Sequence, residues 1–452
     1  MEINLISICF LRNNQKWNCQ FLKTYMRYIL IFSLIALSRI LSQAQTTNVL
    51  LEDRIYNERI RTVLLYPALD QPENPTRLIS PPLIPLQSQM PLVLEFDDMK
   101  GVYEGYRAKI IHCNADWTKS NLNDIEFTYE YNDYRILKYD QSFSTKVPYY
   151  HYRFEVPKLK LSGNYILVVY SDRDRSPVLS RRFMVYESKI NIAAQARFSQ
   201  GIDQQFADQQ IDFSINYSGY PLIAPQTDLK VVMRKNFRWD QTRTNFKPTN
   251  VRPFDQILEY TFFNLENTFP GGNEFRYFDS RTLSARGFGI MELQREADFT
   301  RLILFPDKTR ADNRYLQMDD LNGQYIVDQR ESGRGSVEAD YSPVLFNLHI
   351  AEDPDISVFV NGAFNLWQLN ERNKMTYNPD TKSYEAEIFL KQGVINYDYT
   401  VVRANTKPDE AFVEGNYSAT ENDYDFLVYH RPPASRADLL VGYKTVEWNR
   451  RR

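Results

Sequence analysis

The sequence predicts an all-β protein built from antiparallel β-sandwiches, and three observations support this. Short segments of alternating or continuous apolar character recur along the chain, such as "PLVLEFDDM" (residues 91–99) and "YRAKIIHC" (residues 106–113). Turn-forming segments such as "SGN" at residues 162–164 separate them. The 31 Tyr and 28 Phe residues dominate an aromatic share of 14%, which favours strands. No amphipathic helix longer than a few turns is predicted.

A chain of 452 residues is too long for a single compact core, and its strands fall into three blocks. The first covers residues 45–189. The second, residues 190–342, contains "DFSINYSGY", "LKVVMRKN", "QILEYTFF" and "TRLILFP", with turns at "SGYP" and "PGGN". The third, residues 343–452, contains "LFNLHIA", "DISVFVNGAF", "YEAEIFLK", "INYDYTVV" and "DYDFLVYHR". We therefore predict three β-sandwich domains in tandem.

The N-terminal residues are typical of an export signal. A basic start at Met26, an apolar run over residues 28–37 and small residues at Ser42 and Ala44 predict cleavage after Ala44. Residues 1–44 are thus expected to be removed, and translation is expected to start at Met26. The apolar run is about half the roughly 20 residues that span a bilayer, and no later segment is long and apolar enough. We expect an exported protein with no transmembrane segment of its own.

The motif "HCNADW" at residues 112–117 contains the residue types of a catalytic or metal site. If residues 106–113 form a strand, His112 and Cys113 point to opposite faces, which argues against a Cys–His pair. The favoured interpretation is a turn at a strand end, in which Asn114 and Asp116 cap backbone groups and Trp117 packs on the sandwich.

Other catalytic and metal-binding patterns give little support. Cys113 is the only Cys after the signal segment, and His112, His151, His349 and His430 have no zinc-ligand spacing. The paired acids Asp97/Asp98 and Asp319/Asp320 would point apart on a strand. We predict no catalytic residue, no metal and no cofactor. The formal net charge of −3 gives no basic field for nucleic acid.

Long stretches of the sequence resemble a known family. Residues 110–157, beginning "IIHCNADWTKSNLNDIEFTYEYNDYRILKYD", together with "LSGNYILVVYSDRD", "RRFMVYE", "FPGGNEFRYFDSRTL" and residues 345–399, are similar to the plug protein of the Bacteroidota type IX secretion system. The resemblance implies a non-enzymatic periplasmic protein associated with the outer membrane, which closes the periplasmic mouth of the SprA (Sov) type translocon barrel. In gliding relatives it also implies a role in adhesin export for gliding motility.

The third block also resembles the glycogen-binding type of immunoglobulin-like, early-set module. In that family the Trp of "FNLW" stacks on sugar rings, a role that would fall on Trp367. Asp398 stands where the sugar binders usually have Lys, and the second stacking Trp has no counterpart. We interpret the block as an early-set scaffold in which Trp367 packs. The alternative function is an exported carbohydrate-binding module protein, with Trp367 as its ligand contact.

Three further segments have alternative interpretations. The basic segments "RADNRY" (residues 310–315) and "NRRR" (residues 449–452) could contact an acidic partner or lipid headgroups, although short basic segments are usually only solvated. The proline-rich "SPPLIPL" (residues 80–86) could be an extended recognition segment. The favoured interpretation is a lead-in to the first long strand that protects a sheet edge.

Overall fold

The computed structural model describes residues 49–68 and 78–450, which form one compact unit. The predicted signal segment, residues 1–44 with the start at Met26, lies outside the described residues. Strands make up most of the regular structure, which confirms the predicted all-β class. The described α-helices are single turns: α1 (Asp124–Phe127), α2 (Pro225–Asp228), α3 (Gly335–Glu338) and α4 (Ala411–Glu414).

The first sandwich contains two facing sheets with strand orders β1-β10-β9-β5-β6 and β2-β4-β8-β7. Its core includes Phe96, Tyr152 and Phe183, which come from both sheets. Its strands are β1 (Arg54–Ile55), β2 (Ile60–Pro67), β3 (Leu83–Pro85), β4 (Leu92–Asp98), β5 (Tyr106–Cys113), β6 (Tyr134–Arg135), β7 (Lys138–Gln141), β8 (Tyr150–Glu155), β9 (Gly163–Ser171) and β10 (Pro177–Tyr186).

The proline-rich segment at residues 80–86 forms β3, which pairs in parallel with residues 184–186 of β10. It therefore covers part of the β10 edge, as the favoured interpretation of this segment expected.

The middle sandwich is discontinuous in sequence. One sheet has the order β11-β12-β16-β15, with β17 paired to β12, and the other has the order β14-β13-β28-β29. Phe213, Tyr260 and Phe426 pack between these sheets. The strands are β11 (Asn191–Phe198), β12 (Asp208–Asn216), β13 (Leu229–Lys235), β14 (Thr242–Thr244), β15 (Asn250–Arg252), β16 (Ile257–Tyr260) and β17 (Thr268–Pro270), with β28 (Asn422–His430) and β29 (Leu439–Trp448) from the end of the chain.

The strands of the third sandwich lie in the sequence between β17 and β28 of the middle sandwich. One sheet has the order β18-β27-β22 with β24 paired to β27, and the other has the order β19-β20-β23-β26-β25 with β21 paired to β23. Its strands are β18 (Arg276–Asp279), β19 (Ile290–Arg295), β20 (Thr300–Leu304), β21 (Asp307–Lys308), β22 (Tyr325–Val327), β23 (Tyr341–His349), β24 (Ile356–Asn361), β25 (Thr376–Asn378), β26 (Ser383–Lys391) and β27 (Gly393–Arg403).

The sheets of the structure divide the sequence differently from the three predicted blocks. The predicted border at residue 342/343 separates β28 from β13, although these strands pair over residues 229–235 and 424–430. The same border separates β20 from β23, which pair in parallel. Hydrophobic alternation predicts that a segment is a strand, but it does not say which distant strand is its neighbour.

The three sandwiches pack directly against one another. The outer face of the β5-β9-β10 sheet contributes Cys113 and Ile166 to an apolar cluster with Leu427 and Tyr429 of the middle sandwich. On the other side of the first sandwich, Tyr66 belongs to the core cluster of the third sandwich. Strand β4 is consequently buried along its whole length, because its sheet has apolar neighbours on both faces.

Candidate interaction surface and cavity

His112 and Cys113 point to opposite faces of β5, as the sequence predicted. His112 packs inside the first sandwich against Tyr165, with ring centroids 4.8 Å apart, and burial lowers its pKa to about 4. Cys113 lies in the apolar cluster between the first and middle sandwiches, where burial raises its pKa to about 12. At neutral pH the thiol is protonated, the imidazole is neutral, and the two groups do not form a pair.

The rest of the motif forms the predicted turn. Asp116 Oδ1 accepts a hydrogen bond from the Thr118 backbone N–H at 3.0 Å. Trp117 packs edge-on against Trp239 of the middle sandwich, with centroids 4.8 Å apart. The turn therefore contributes to the junction between two sandwiches, a role for Trp117 that its position in the sequence does not reveal.

The adjacent acids Asp97 and Asp98 also point apart, as predicted. Asp98 Oδ2 accepts a hydrogen bond from the Tyr106 hydroxyl at 2.7 Å, inside the first sandwich. Asp97 faces the third sandwich, where Lys391 Nζ and the Tyr341 hydroxyl each donate to its Oδ2 at 2.7 Å. Both members of the Asp97–Lys391 pair are buried, so this ion pair joins the first and third sandwiches away from water.

Trp367 lies where the middle and third sandwiches meet. The guanidinium of Arg238 is 3.8 Å from the centroid of its ring and covers one indole face. A Cβ atom at Gly323, which has φ +78°, would be 2.3 Å from indole Cη2, so this close approach requires glycine. The contacts of Trp367 are thus within the chain, and its predicted role as a ligand or partner contact stays a prediction.

The residues of the basic segments have acidic neighbours in the chain. Arg310 Nη2 lies 2.6 Å from Glu414 Oε2. Arg450 Nη1 lies 2.6 Å from Glu447 Oε1 and its Nε lies 3.2 Å from Glu421 Oε1. A contact with a partner would therefore compete with these pairs, while Arg451 and Arg452 lie outside the described residues.

A cavity of about 340 Å³ lies where the three sandwiches meet. Its lining combines arginines, tryptophans and apolar side chains from all three. The lining includes Glu52, Asp53, Val63, Leu78, Arg181, Arg182, Arg234, Arg238, Trp239, Leu366 and Trp367. Charged and aromatic groups thus converge on one cavity, although they are far apart in the sequence.

The first sandwich has an open sheet edge at β7. The backbone N–H of Ser142 donates to the backbone oxygen of Tyr149. Because hydrogen-bonded and non-hydrogen-bonded pairs alternate along an antiparallel ladder, the backbone N–H and C=O groups of Tyr139 and Gln141 point away from β8. Tyr139 is 43% exposed and lies against Tyr103, with centroids 4.5 Å apart. We define the edge patch as these exposed apolar side chains beside the edge: Val102, Tyr103, Leu137 and Tyr139.

The connection between β5 and β7 adds further exposed apolar side chains. Ile125, Tyr129 and Tyr131 each expose two thirds or more of their surface. Tyr149 and Tyr152 nearby are fully buried. An aromatic-rich segment is visible in the sequence, but the sequence does not show which of its tyrosines reach solvent.

Comparison with known proteins identifies a family domain within the first sandwich. The model of the "Type 9 secretion system plug protein 1st domain" matches residues 60–187. Residues 60–187 therefore form a first domain of the type 9 secretion system plug protein. The matched residues span β2 to β10 and therefore the edge patch, so the plug-family domain corresponds to the first sandwich.

A solved structure is similar to most of the chain, including the part beyond residue 187. The crystal structure of a hypothetical protein from Parabacteroides merdae ATCC 43184 is 32% identical, with a TM-score of 0.82. The alignment covers 88% of this chain and 100% of that chain. The middle and third sandwiches therefore share their fold with a relative. No curated protein matches.

The plug-protein domain at residues 60–187 associates the chain with type IX secretion and its translocon. Among the described residues, no helix is long and apolar enough to cross a membrane. In the same part of the chain, no group of three or more His, Cys, Asp or Glu side chains is arranged to hold a metal ion.

Proposed function

We propose that the protein is a periplasmic plug that sterically closes the periplasmic mouth of a SprA-type outer-membrane barrel. The edge patch carries this proposal. It places exposed tyrosines and an unpaired strand edge on the sandwich that matches the plug family. Exposed apolar groups of this kind mark protein interaction sites, where Tyr is enriched. In gliding relatives the same role would serve the export of adhesins.

Buried or partly buried polar contacts between every pair of sandwiches support a steric mechanism. Lys391 and Asp97 join the third sandwich to the first. The Tyr429 hydroxyl donates to Asn164 Oδ1 at 2.7 Å and joins the middle sandwich to the first. Arg238 and Glu410 pair between the middle and third sandwiches. A body held at all three junctions resists deformation, which a plug against a wide opening requires.

The small size of the edge patch fits reversible closure. A plug must leave or yield when the channel carries cargo, so its binding must be weaker than its own internal packing. Four exposed side chains and one strand edge offer a limited contact, whereas each junction between sandwiches is buried.

Replacing the two tyrosines that contact each other in the edge patch tests the proposed docking surface. The double variant Tyr103→Ser/Tyr139→Ser should co-purify about tenfold less barrel from detergent-solubilised outer membranes, because exposed aromatics commonly dominate interfaces. The matched control is Phe254→Ser/Phe263→Ser, which removes two exposed aromatics from the middle sandwich and should leave recovery unchanged. Circular dichroism and urea unfolding of both variants establish that each is folded.

The plug function and the docking surface are tested separately. If the wild-type protein recovers no SprA-type barrel under mild detergent, the plug function is wrong. If the wild-type and the tyrosine variant recover the barrel equally, the plug function stands and the docking surface is wrong.

A further inference from the structure

We propose that the cavity between the three sandwiches is a binding site for a monocarboxylate with an apolar body, and that Arg182 is its anion-binding group. This inference concerns a different part of the molecule from the edge patch. It does not depend on the barrel as partner.

Arg182 differs from the other arginines of the cavity in its lack of a direct counter-ion. Its Nε and Nη2 donate to the backbone carbonyl of Leu51 at 3.2 and 3.0 Å. Within residues 49–68 and 78–450, no carboxylate oxygen lies within 4.0 Å of the Arg182 guanidinium, and Nη1 has no hydrogen-bond partner there. One positive charge at the cavity wall therefore lacks a direct anionic partner.

The other three arginines are already paired with acids. Arg181 Nε lies 3.4 Å from Asp53 Oδ1. Arg234 forms a two-pronged, buried pair with Asp425. Arg238 pairs with Asp240 and Glu410. An anion entering the cavity would therefore be attracted to Arg182.

Two tryptophans hold the Arg182 guanidinium in place. Its carbon lies 4.7 Å from the ring centroid of Trp117 and 5.4 Å from that of Trp239. These contacts fix the plane of the group without neutralising its charge. Burial lowers the pKa of Arg182, since the desolvated charge is costly, but an arginine stays protonated at neutral pH. A bound anion would offset that cost.

The lining also indicates the class of ligand. A guanidinium edge matches the planar, two-oxygen geometry of a carboxylate. Val63, Leu78 and Leu366 provide apolar wall for the rest of the molecule. Glu52 and Asp53 lie in the same lining and repel anions, so each negative charge of a ligand needs a cation that has no direct partner of its own. Arg182 supplies one such cation, which favours a single carboxylate over two. A volume of about 340 Å³ is at the small end of ligand sites and suits one residue-sized group.

Such a carboxylate could be a free organic acid or the C-terminal carboxylate of a peptide. Tryptophan fluorescence reports on the site directly, because Trp239 and Trp367 line the cavity and Trp117 contacts the Arg182 guanidinium. The purified protein is titrated with hexanoate, hexanamide and adipate, and with a short apolar peptide carrying either a free or an amidated C-terminus. Thermal unfolding is measured in parallel, since a ligand that binds the folded state raises the melting temperature.

We expect saturable fluorescence changes and higher melting temperatures with hexanoate or with the free-acid peptide. Hexanamide and the amidated peptide should bind at least about tenfold more weakly because they have no carboxylate, and adipate should do so because it carries a second negative charge. Binding of hexanoate indicates a free acid as the source. Binding of the free-acid peptide alone indicates a peptide terminus.

Variants at Arg182 complete the test. Arg182→Gln should weaken carboxylate binding by about tenfold or more, and Arg182→Lys should weaken it less because the charge is retained. The control Arg252→Gln changes an exposed arginine of the middle sandwich and should bind as the wild-type does. If Arg182→Gln does not fold, the comparison of hexanoate with hexanamide on the wild-type protein decides. Equal responses to acid and amide, no saturation at millimolar concentrations, or full binding by a folded Arg182→Gln would overturn the proposal.

Discussion

Replacing Lys391 by Met should reduce the free energy of unfolding by about 3 kcal/mol. Lys391 and Asp97 are almost completely buried, and Nζ lies 2.7 Å from Asp97 Oδ2. Removing one partner of a buried pair generally costs about 3–5 kcal/mol, because the other charge is left without compensation. The lower end applies here, since Asp97 keeps its hydrogen bonds with His151 and Tyr341.

Urea unfolding with a double-mutant cycle measures this contribution. In Asp97→Asn/Lys391→Met both charges are absent, so the double variant should lose at least about 1 kcal/mol less than the sum of the single variants. The control is Lys138→Met, which breaks an exposed pair with Glu155 at 2.8 Å and should cost less than about 1 kcal/mol. A loss of less than 1 kcal/mol in Lys391→Met, or strict additivity, would refute the role assigned to the pair.

The pH dependence of the same variant provides a second check. Burial alone would raise the pKa of Asp97, but the charge of Lys391 and the hydrogen bond with His151 bring it below its usual value. Stability from an acid with a lowered pKa is present above the unfolded value near about 4 and is lost as the pH falls through the folded pKa. The difference between wild-type and Lys391→Met should therefore shrink below about pH 4.

Three further predictions concern other buried groups. Burial, with the nearby charge of Glu274, raises the pKa of Asp320 to about 7. Asp320 should therefore lower the free energy of unfolding as the pH rises from about 4 to about 7, and urea unfolding at each pH should show a smaller decrease in Asp320→Asn than in the wild-type; equal decreases would contradict the raised pKa. Gly271→Ala should reduce the free energy of unfolding by about 3 kcal/mol or more, because the added Cβ would lie 2.1 Å from the backbone oxygen of Tyr417. An unchanged midpoint of urea unfolding would contradict this close packing. The buried Cys113 thiol, with its pKa raised to about 12, should not react with iodoacetamide at neutral pH until urea unfolds the protein. Mass spectrometry measures the labelling, and rapid labelling of the native protein would show that the thiol is not buried.

Local features of the fold follow from the sequence because they depend on neighbouring residues. The strand at residues 106–113 and the opposite directions of His112 and Cys113 follow from the two-residue period of a strand. The Asp116 turn follows from a short side chain that can reach the backbone two residues ahead. These predictions need no knowledge of the tertiary structure.

The junctions could not be predicted in this way, because their partners are hundreds of residues apart. Asp97 and Lys391 are 294 residues apart, and nothing in either segment marks them as partners. The cavity likewise depends on Arg182 meeting Trp239 across two sandwiches. Exposure at the edge patch is similarly hidden, because the sequence does not show that Tyr139 reaches solvent while Tyr152, its neighbour on the next strand, is buried.

Ion conductance through the barrel tests the central claim most directly. A purified SprA-type barrel is reconstituted in planar bilayers, and the protein is added on the side of the periplasmic mouth. The plug account predicts that the wild-type protein lowers the conductance reversibly and that Tyr103→Ser/Tyr139→Ser lowers it much less at the same concentration. An open-channel conductance that stays unchanged while the wild-type protein is bound to the barrel would contradict steric closure.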